Sequence, residues 1–66
     1  MSRYSVPNMS CGHCKAKIEE ALLEADGGAA LDFDMDAREI AVDSMLAPAE
    51  VLNTIKAAGY EAAEIG

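Results

Sequence analysis

The stretch Ala30-Leu31-Asp32-Phe33-Asp34-Met35-Asp36-Ala37-Arg38-Glu39-Ile40-Ala41-Val42-Asp43 alternates apolar and polar residues on both sides of a short polar turn. This period of two predicts a β-hairpin, with strands over residues 30–35 and 39–43. One face of the hairpin is apolar and the other is acidic, so we expect the first to be covered and the second to face solvent. The alternation fixes the register, because a slip of one residue would bury the aspartates.

Helices are predicted on both sides of this hairpin. The first covers residues 12–25, with Ser10 as its N-cap and with Gly27 or Gly28 in the left-handed conformation beyond its end. The second begins at Pro48, a residue suited to the first helical position, and ends at Gly59. Their predicted buried stripes are Cys14, Ile18, Ala21, Leu22 and Ala25 in the first helix, and Val51, Leu52, Ile55 and Ala58 in the second.

Short strands at the two ends complete the pattern. They are predicted over residues 3–6 and 60–65, and in the second of them Ala63 and Ile65 are expected to face inward. The order is β-α-β-β-α-β, and right-handed crossovers place both helices on the same face of the sheet. The sequence therefore predicts an α+β fold, a ferredoxin-like sandwich whose four-stranded antiparallel sheet carries two helices on one face.

Composition narrows the classes of partner. The chain has 66 residues, enough for one domain, and a net charge of −7, which argues against nucleic acid or an anionic membrane surface as partner. Its apolar runs are too short to span a bilayer, so we expect no membrane insertion. Met1-Ser2-Arg3-Tyr4 lacks the apolar segment of a secretion signal. We therefore expect a cytoplasmic, reducing compartment, where paired cysteines are more often metal-binding or catalytic than structural.

The segment Met9-Ser10-Cys11-Gly12-His13-Cys14 contains both cysteines and the only histidine. Its thiols are expected at the N-terminus of the first helix, where the helix dipole and nearby lysines favour the thiolate form. Two soft thiolates suit a soft monovalent ion, and Cu(I) is the leading candidate. A structural zinc site needs four ligands, and an iron–sulfur cluster needs about four cysteines. Two cysteines and one histidine provide too few ligands for either, so both are less suited to this motif than Cu(I).

Thiol–disulfide exchange is the rival chemistry for this segment. Cys-Gly-His-Cys is also the active-site tetrapeptide of protein disulfide isomerases, in which the central residues tune the reduction potential. The surrounding sequence argues against this function. The chain is too short for a thioredoxin-type domain, it has no tryptophan, and Ser10 stands where that family has one before its first cysteine.

The chain resembles the heavy-metal-associated domain family over residues 1–66, which would then form one domain. The resemblance is carried by Met9-Ser10-Cys11-Gly12-His13-Cys14 and by Ala57-Ala58-Gly59-Tyr60, together with the order of elements. It departs in having Asn8 where the family usually has glycine, which affects the turn before the motif. Ser10 argues mildly against the zinc and cadmium relatives, which often have aspartate there.

The resemblance implies a copper chaperone of the small bacterial type, which is not an enzyme. Cys11 and Cys14 would bind Cu(I) and deliver it by ligand exchange to the metal-binding domain of a copper-transporting P-type ATPase. A zinc- or mercury-binding domain of the same fold is the alternative within the family.

Several neighbouring residues have expected supporting roles. By the same resemblance Met9 packs beneath the loop and Tyr60 lies beside the sulfurs, while His13 is expected to be exposed and to tune the thiolates. We expect a monomer without metal; in a metal-bridged dimer, the state in which two molecules share copper, His13 would become a ligand. The lysines that could dock an acidic partner face are Lys15, Lys17 and Lys56.

Overall fold

The computed structural model describes residues 2–9 and 12–66. In these ranges the elements are β1 (Ser2–Ser5), α1 (Gly12–Ala25), β2 (Ala30–Asp34), β3 (Glu39–Asp43), α2 (Pro48–Ala57) and β4 (Ala63–Glu64). The four strands form one sheet in the order β2-β3-β1-β4, and every neighbouring pair is antiparallel. The predicted ferredoxin-like α+β sandwich is confirmed. The predicted N-cap, Ser10, lies outside the described residues.

The β2–β3 hairpin has the predicted register. Phe33 lies opposite Ile40 and Leu31 opposite Val42, on the face that packs toward the helices. Asp32 is exposed on the other face, as the alternation requires. Strand β2 ends one residue earlier than predicted, and residues 35–38 form the turn that leads into β3.

A single apolar cluster joins the sheet to the two helices. Its fully buried members are Tyr4, Val6, Met9, Ile18, Leu22, Ile40, Val42, Val51 and Ile55. Ala25 was predicted to belong to this cluster but is exposed. It is the last residue of α1, and the chain turns away from the helix directly after it to reach β2.

The last strand is shorter than predicted and has the opposite parity. Tyr60 and Ala62 are half-buried against the core, whereas Ala63 and Ile65 are exposed. The pairing with β1 explains the difference: Ala63 lies opposite Ser5, and the Ile65 amide donates to the Arg3 carbonyl at 2.9 Å. Opposite residues in an antiparallel pair share a face, so Ala63 and Ile65 lie on the solvent side of the sheet.

The end of α1 does not use a left-handed glycine. Neither Gly27 nor Gly28 has a positive φ, contrary to the sequence-based expectation. Asp26 ends the helix instead. Its carboxylate accepts the Gly28 amide at 3.1 Å and, across the molecule, the Met45 amide at 2.8 Å. An aspartate that bonds the backbone two residues ahead makes the turn without a left-handed residue.

The end of α2 does use a left-handed glycine. Gly59 has φ 101°. Its amide donates to the Lys56 carbonyl at 2.9 Å, and the Tyr60 amide donates to the Ile55 carbonyl at 3.3 Å. These two bonds form a Schellman motif, in which the residues after the helix turn back and satisfy its last carbonyls. Tyr60 is thereby directed onto the core beside α2.

Gly59→Ala is expected to lower the free energy of unfolding by about 1–2 kcal/mol, because an L side chain is strained at this backbone conformation. Urea denaturation of the metal-free protein measures the change. Gly27→Ala is the matched control: a methyl group there meets only the Leu23 carbonyl oxygen, at 3.8 Å, and φ is not positive. Equal losses in the two variants would contradict the assignment.

Candidate metal centre

The predicted site residues come from one end of the fold. Strands β1 and β2 are both antiparallel to β3, so they run in the same direction and finish at the same end of the sheet. The chain that leaves β1 there enters α1, and β4 begins there because it is antiparallel to β1. Met9, the first turn of α1, the turn at residues 35–38 and the segment before β4 therefore share this end.

The chain leading into the motif forms a tight turn. The Met9 amide donates to the Val6 carbonyl at 3.0 Å, which closes a four-residue turn with Pro7 at its second position. Asn8 follows Pro7 but does not take the left-handed conformation that its residue type allows. Among the described non-glycine residues only Arg38 has a positive φ, 55°.

Cys14 lies in the first turn of α1, as predicted. It is half-buried and packs against the apolar core. The first amides of a helix have no carbonyl partner within it, and together with the helix dipole they stabilise negative charge. This position favours the thiolate form of Cys14. Cys11, the other predicted ligand, lies outside the described residues.

Met9 and Tyr60 differ in how they pack. Met9 is fully buried, with 0% of its side chain exposed, in the core cluster beneath the motif. Tyr60 is half-buried and also packs against that cluster, from the α2 side. Cys14 and Tyr60 thus pack against one apolar cluster, while Met9 is part of it. The packing favours a structural role for Met9.

His13 is exposed on the first turn of α1. Within residues 2–9 and 12–66, no three His, Cys, Asp or Glu side chains lie close enough together to hold a metal ion. A multi-ligand cage of the structural-zinc type is therefore absent from those ranges. Of the two predicted cysteine ligands, the structure describes Cys14 alone.

The three lysines do not form one uniform patch. Lys15 places its Nζ 5.4 Å from the centre of the Phe33 ring, within the range of a cation–π contact. Lys17 borders a shallow groove beside Ala58 of the helix layer. Lys56 borders a separate groove with Glu61. Lys15 is thus turned toward the sheet edge, and Lys17 and Lys56 border the helix layer.

The sequence interpretation missed three contacts at this end. The Arg38 guanidinium donates to the Pro7 carbonyl at 3.1 Å, and the Arg38 carbonyl accepts the Val6 amide at 2.8 Å. Phe33, assigned only to the core, also lies beneath Lys15. Nothing in the sequence indicated these contacts. The turn at residues 35–38 has no glycine or asparagine to mark the left-handed position that Arg38 occupies.

Comparisons with known proteins agree with this geometry. The heavy-metal-associated domain family matches residues 3–61. The copper chaperone CopZ of Staphylococcus aureus is 35% identical over 60 residues, covering 86% of this chain and 88% of that protein. The copper chaperone Atx1 from Synechocystis PCC6803 has the same fold with a TM-score of 0.89, 23% identity, and coverage of 92% of this chain and 97% of that one.

A copper binding domain from HMA7, a P-type ATPase, also shares the fold. Its TM-score is 0.86 at 21% identity, and the match covers 100% of this chain and 96% of that one. The fold and the two-cysteine motif at the head of α1 define a small domain of metal-handling type. The chain belongs to the heavy-metal-associated domain family. No helix in the described part of the chain is long and apolar enough to cross a membrane.

Proposed function

We propose that this chain is a cytoplasmic copper chaperone that acts as one domain and is not an enzyme. It binds Cu(I) through the thiolates of Cys11 and Cys14 and delivers the ion to the metal-binding domain of a copper-transporting P-type ATPase. The observation that carries the proposal is a Cys-x-x-Cys motif in the sequence whose second cysteine lies in the first turn of α1, in a chain 35% identical to a copper chaperone along most of its length.

The chemistry of the motif supports a soft monovalent cargo. Thiolates are soft ligands that select Cu(I) over harder ions. A Cu(I) ion with two thiolates carries a net charge of −1, which the N-terminus of α1 stabilises.

Transfer follows from a low coordination number. A thiolate of the partner attacks the bound Cu(I) and forms a new Cu–S bond, giving a three-coordinate bridged state. One Cu–S bond to this chain then breaks, and its sulfur takes up a proton as the incoming thiol has lost one. A second thiolate of the partner repeats the exchange, the remaining Cu–S bond to this chain breaks, and the ion is then held by the partner's two sulfurs. Copper stays Cu(I) throughout, so no oxidant or reductant is needed.

Neighbouring side chains support this role. We assign Met9 to packing beneath the motif because it is fully buried in the core. Tyr60 covers the sulfurs from the α2 side, and exposed His13 becomes a ligand only when two molecules share copper. Lys17 and Lys56 steer an acidic partner face toward this end of the molecule, and Lys15 contributes less because its charge lies over Phe33.

Competitive titration with Cu(I), Zn(II) and Hg(II) under reducing conditions tests the proposal. We expect one Cu(I) per chain, held against a strong chelator and not displaced by equimolar Zn(II). Preference for Zn(II) would assign the domain to another cargo. Weak Cu(I) binding together with turnover in an insulin-reduction assay would show that the motif performs thiol exchange.

Copper affinity is expected to rise with pH. Metal competes with protons for each thiol, so raising the pH strengthens binding by about tenfold per unit for each proton that binding releases. Chelator competition between pH 6 and 8 measures the slope. An affinity that falls as the pH rises would contradict thiolate ligation.

A further inference from the structure

The turn at residues 35–38 contacts the chain on one side of the cysteine motif. Arg38 makes two of these contacts: its carbonyl accepts the Val6 amide at 2.8 Å, and its guanidinium donates to the Pro7 carbonyl at 3.1 Å. Pro7 and Asn8 are exposed, whereas Val6 and Met9, at the two ends of this turn, are fully buried in the core. Arg38 therefore adds two polar restraints to the hydrogen bond between the Met9 amide and the Val6 carbonyl that closes this turn.

The same hairpin contacts the chain on the other side of the motif. Phe33, near the end of β2, lies beneath Lys15, with 5.4 Å between the ammonium nitrogen and the ring centre. Lys15 directly follows Cys14 in the sequence. The end of the β2–β3 hairpin thus touches the chain before Cys11 and the chain after Cys14.

The backbone of Arg38 is unusual for its residue type. Its φ of 55° lies in the left-handed region, which glycine and asparagine tolerate and which is disfavoured for an arginine. This conformation places both the carbonyl and the side chain of Arg38 against residues 6 and 7. Glycine or asparagine would adopt this backbone conformation with less strain. What arginine adds at this position is the hydrogen bond from its guanidinium to the Pro7 carbonyl.

We propose that Arg38 is a positioning residue for metal binding. It holds the segment before Cys11 in place in the metal-free protein, so that less conformational freedom is lost when the cysteines take the ion. The inference rests on the proposed function. The contact between Phe33 and Lys15 provides the corresponding restraint after Cys14.

Arg38→Asn separates this role from a structural one. Asparagine accepts the left-handed backbone, so the fold is kept while the bond to Pro7 is lost. We expect Cu(I) affinity to fall about threefold to tenfold, as faster loss of copper to a chelator, with an unchanged urea midpoint for the metal-free protein. Arg38→Lys retains a cationic donor, so its Cu(I) affinity should fall less than that of Arg38→Asn.

Arg3→Asn is the matched control. It removes the same charge from a residue whose guanidinium pairs with Glu39 at 3.0 Å on the solvent face of the sheet. Equal losses of affinity in the two variants would show a general charge effect and overturn the proposal. A lower Cu(I) affinity in Arg38→Asn that is accompanied by a lower urea midpoint would overturn the proposal as well.

Hydrogen exchange of the Met9 amide in the metal-free protein provides a second readout. This amide closes the turn at residues 6–9, and it should exchange faster in Arg38→Asn but not in Arg3→Asn. Unchanged exchange would contradict the positioning role. Failure of the unaltered protein to hold Cu(I) would instead overturn the proposed function, and the exchange comparison would still decide whether Arg38 orders the segment.

Discussion

Replacing either Cys11 or Cys14 with serine is expected to lower Cu(I) affinity on the order of a thousandfold or more. A hydroxyl is a poor ligand for a soft ion, so serine does not replace the lost sulfur. Competition with a strong Cu(I) chelator at pH 7 measures the loss. Each tenfold change corresponds to about 1.4 kcal/mol of binding free energy.

His13→Ala is the control within the same motif. His13 is exposed and is proposed to ligate only when two molecules share copper, so this variant should stay within about threefold of the unaltered protein when dilute. Full affinity in Cys11→Ser would contradict a two-thiolate site. A large loss in His13→Ala would indicate that the imidazole is a ligand in the monomer.

The largest stability effect is expected for Met9→Ala, which should lower the free energy of unfolding by about 2–5 kcal/mol. The side chain is fully buried in the core, and truncation leaves a cavity there. Met45→Ala makes the same chemical change at a position that is 93% exposed and should have little effect. Urea denaturation of the two metal-free variants provides the comparison.

Met9→Leu separates packing from ligation. Leucine keeps the apolar volume without the sulfur, and a volume-conserving exchange of this kind costs less than about 1.5 kcal/mol. Cu(I) affinity should be retained if Met9 only supports the motif. A loss of copper affinity comparable to that of the cysteine variants, with stability preserved, would make the thioether a ligand.

The sequence predicted most of the fold because its strongest patterns are local. The bounds of α1 and the register of the β2–β3 hairpin follow from apolar spacing, and Pro48 marks the start of α2 correctly. These signals agree with one another, since each directs the apolar residues of its own element toward one core. The predicted end of α2 at Gly59 agrees with the structure, in which Gly59 alone among the described glycines has a positive φ.

The errors arose where the pattern is weak. Residues 62 and 63 are both alanine, so no difference in side chain indicates which one faces inward. The pairing of β4 with β1 decides it. Gly27 and Gly28 resembled a helix stop, but the carboxylate of Asp26 made a left-handed residue unnecessary. The bond from Arg38 to Pro7 joins residues 31 positions apart, and no local pattern could have indicated it.

Copper transfer in the presence of a competing chelator tests the central claim most directly. The Cu(I)-bound chain is mixed with the metal-free metal-binding domain of a copper-transporting P-type ATPase, and the two are separated by anion exchange, aided by the net charge of −7. We predict that copper reaches the ATPase domain without being intercepted by a chelator that does not itself strip the chaperone. Copper captured in proportion to the chelator concentration would show release into solution and contradict direct ligand exchange.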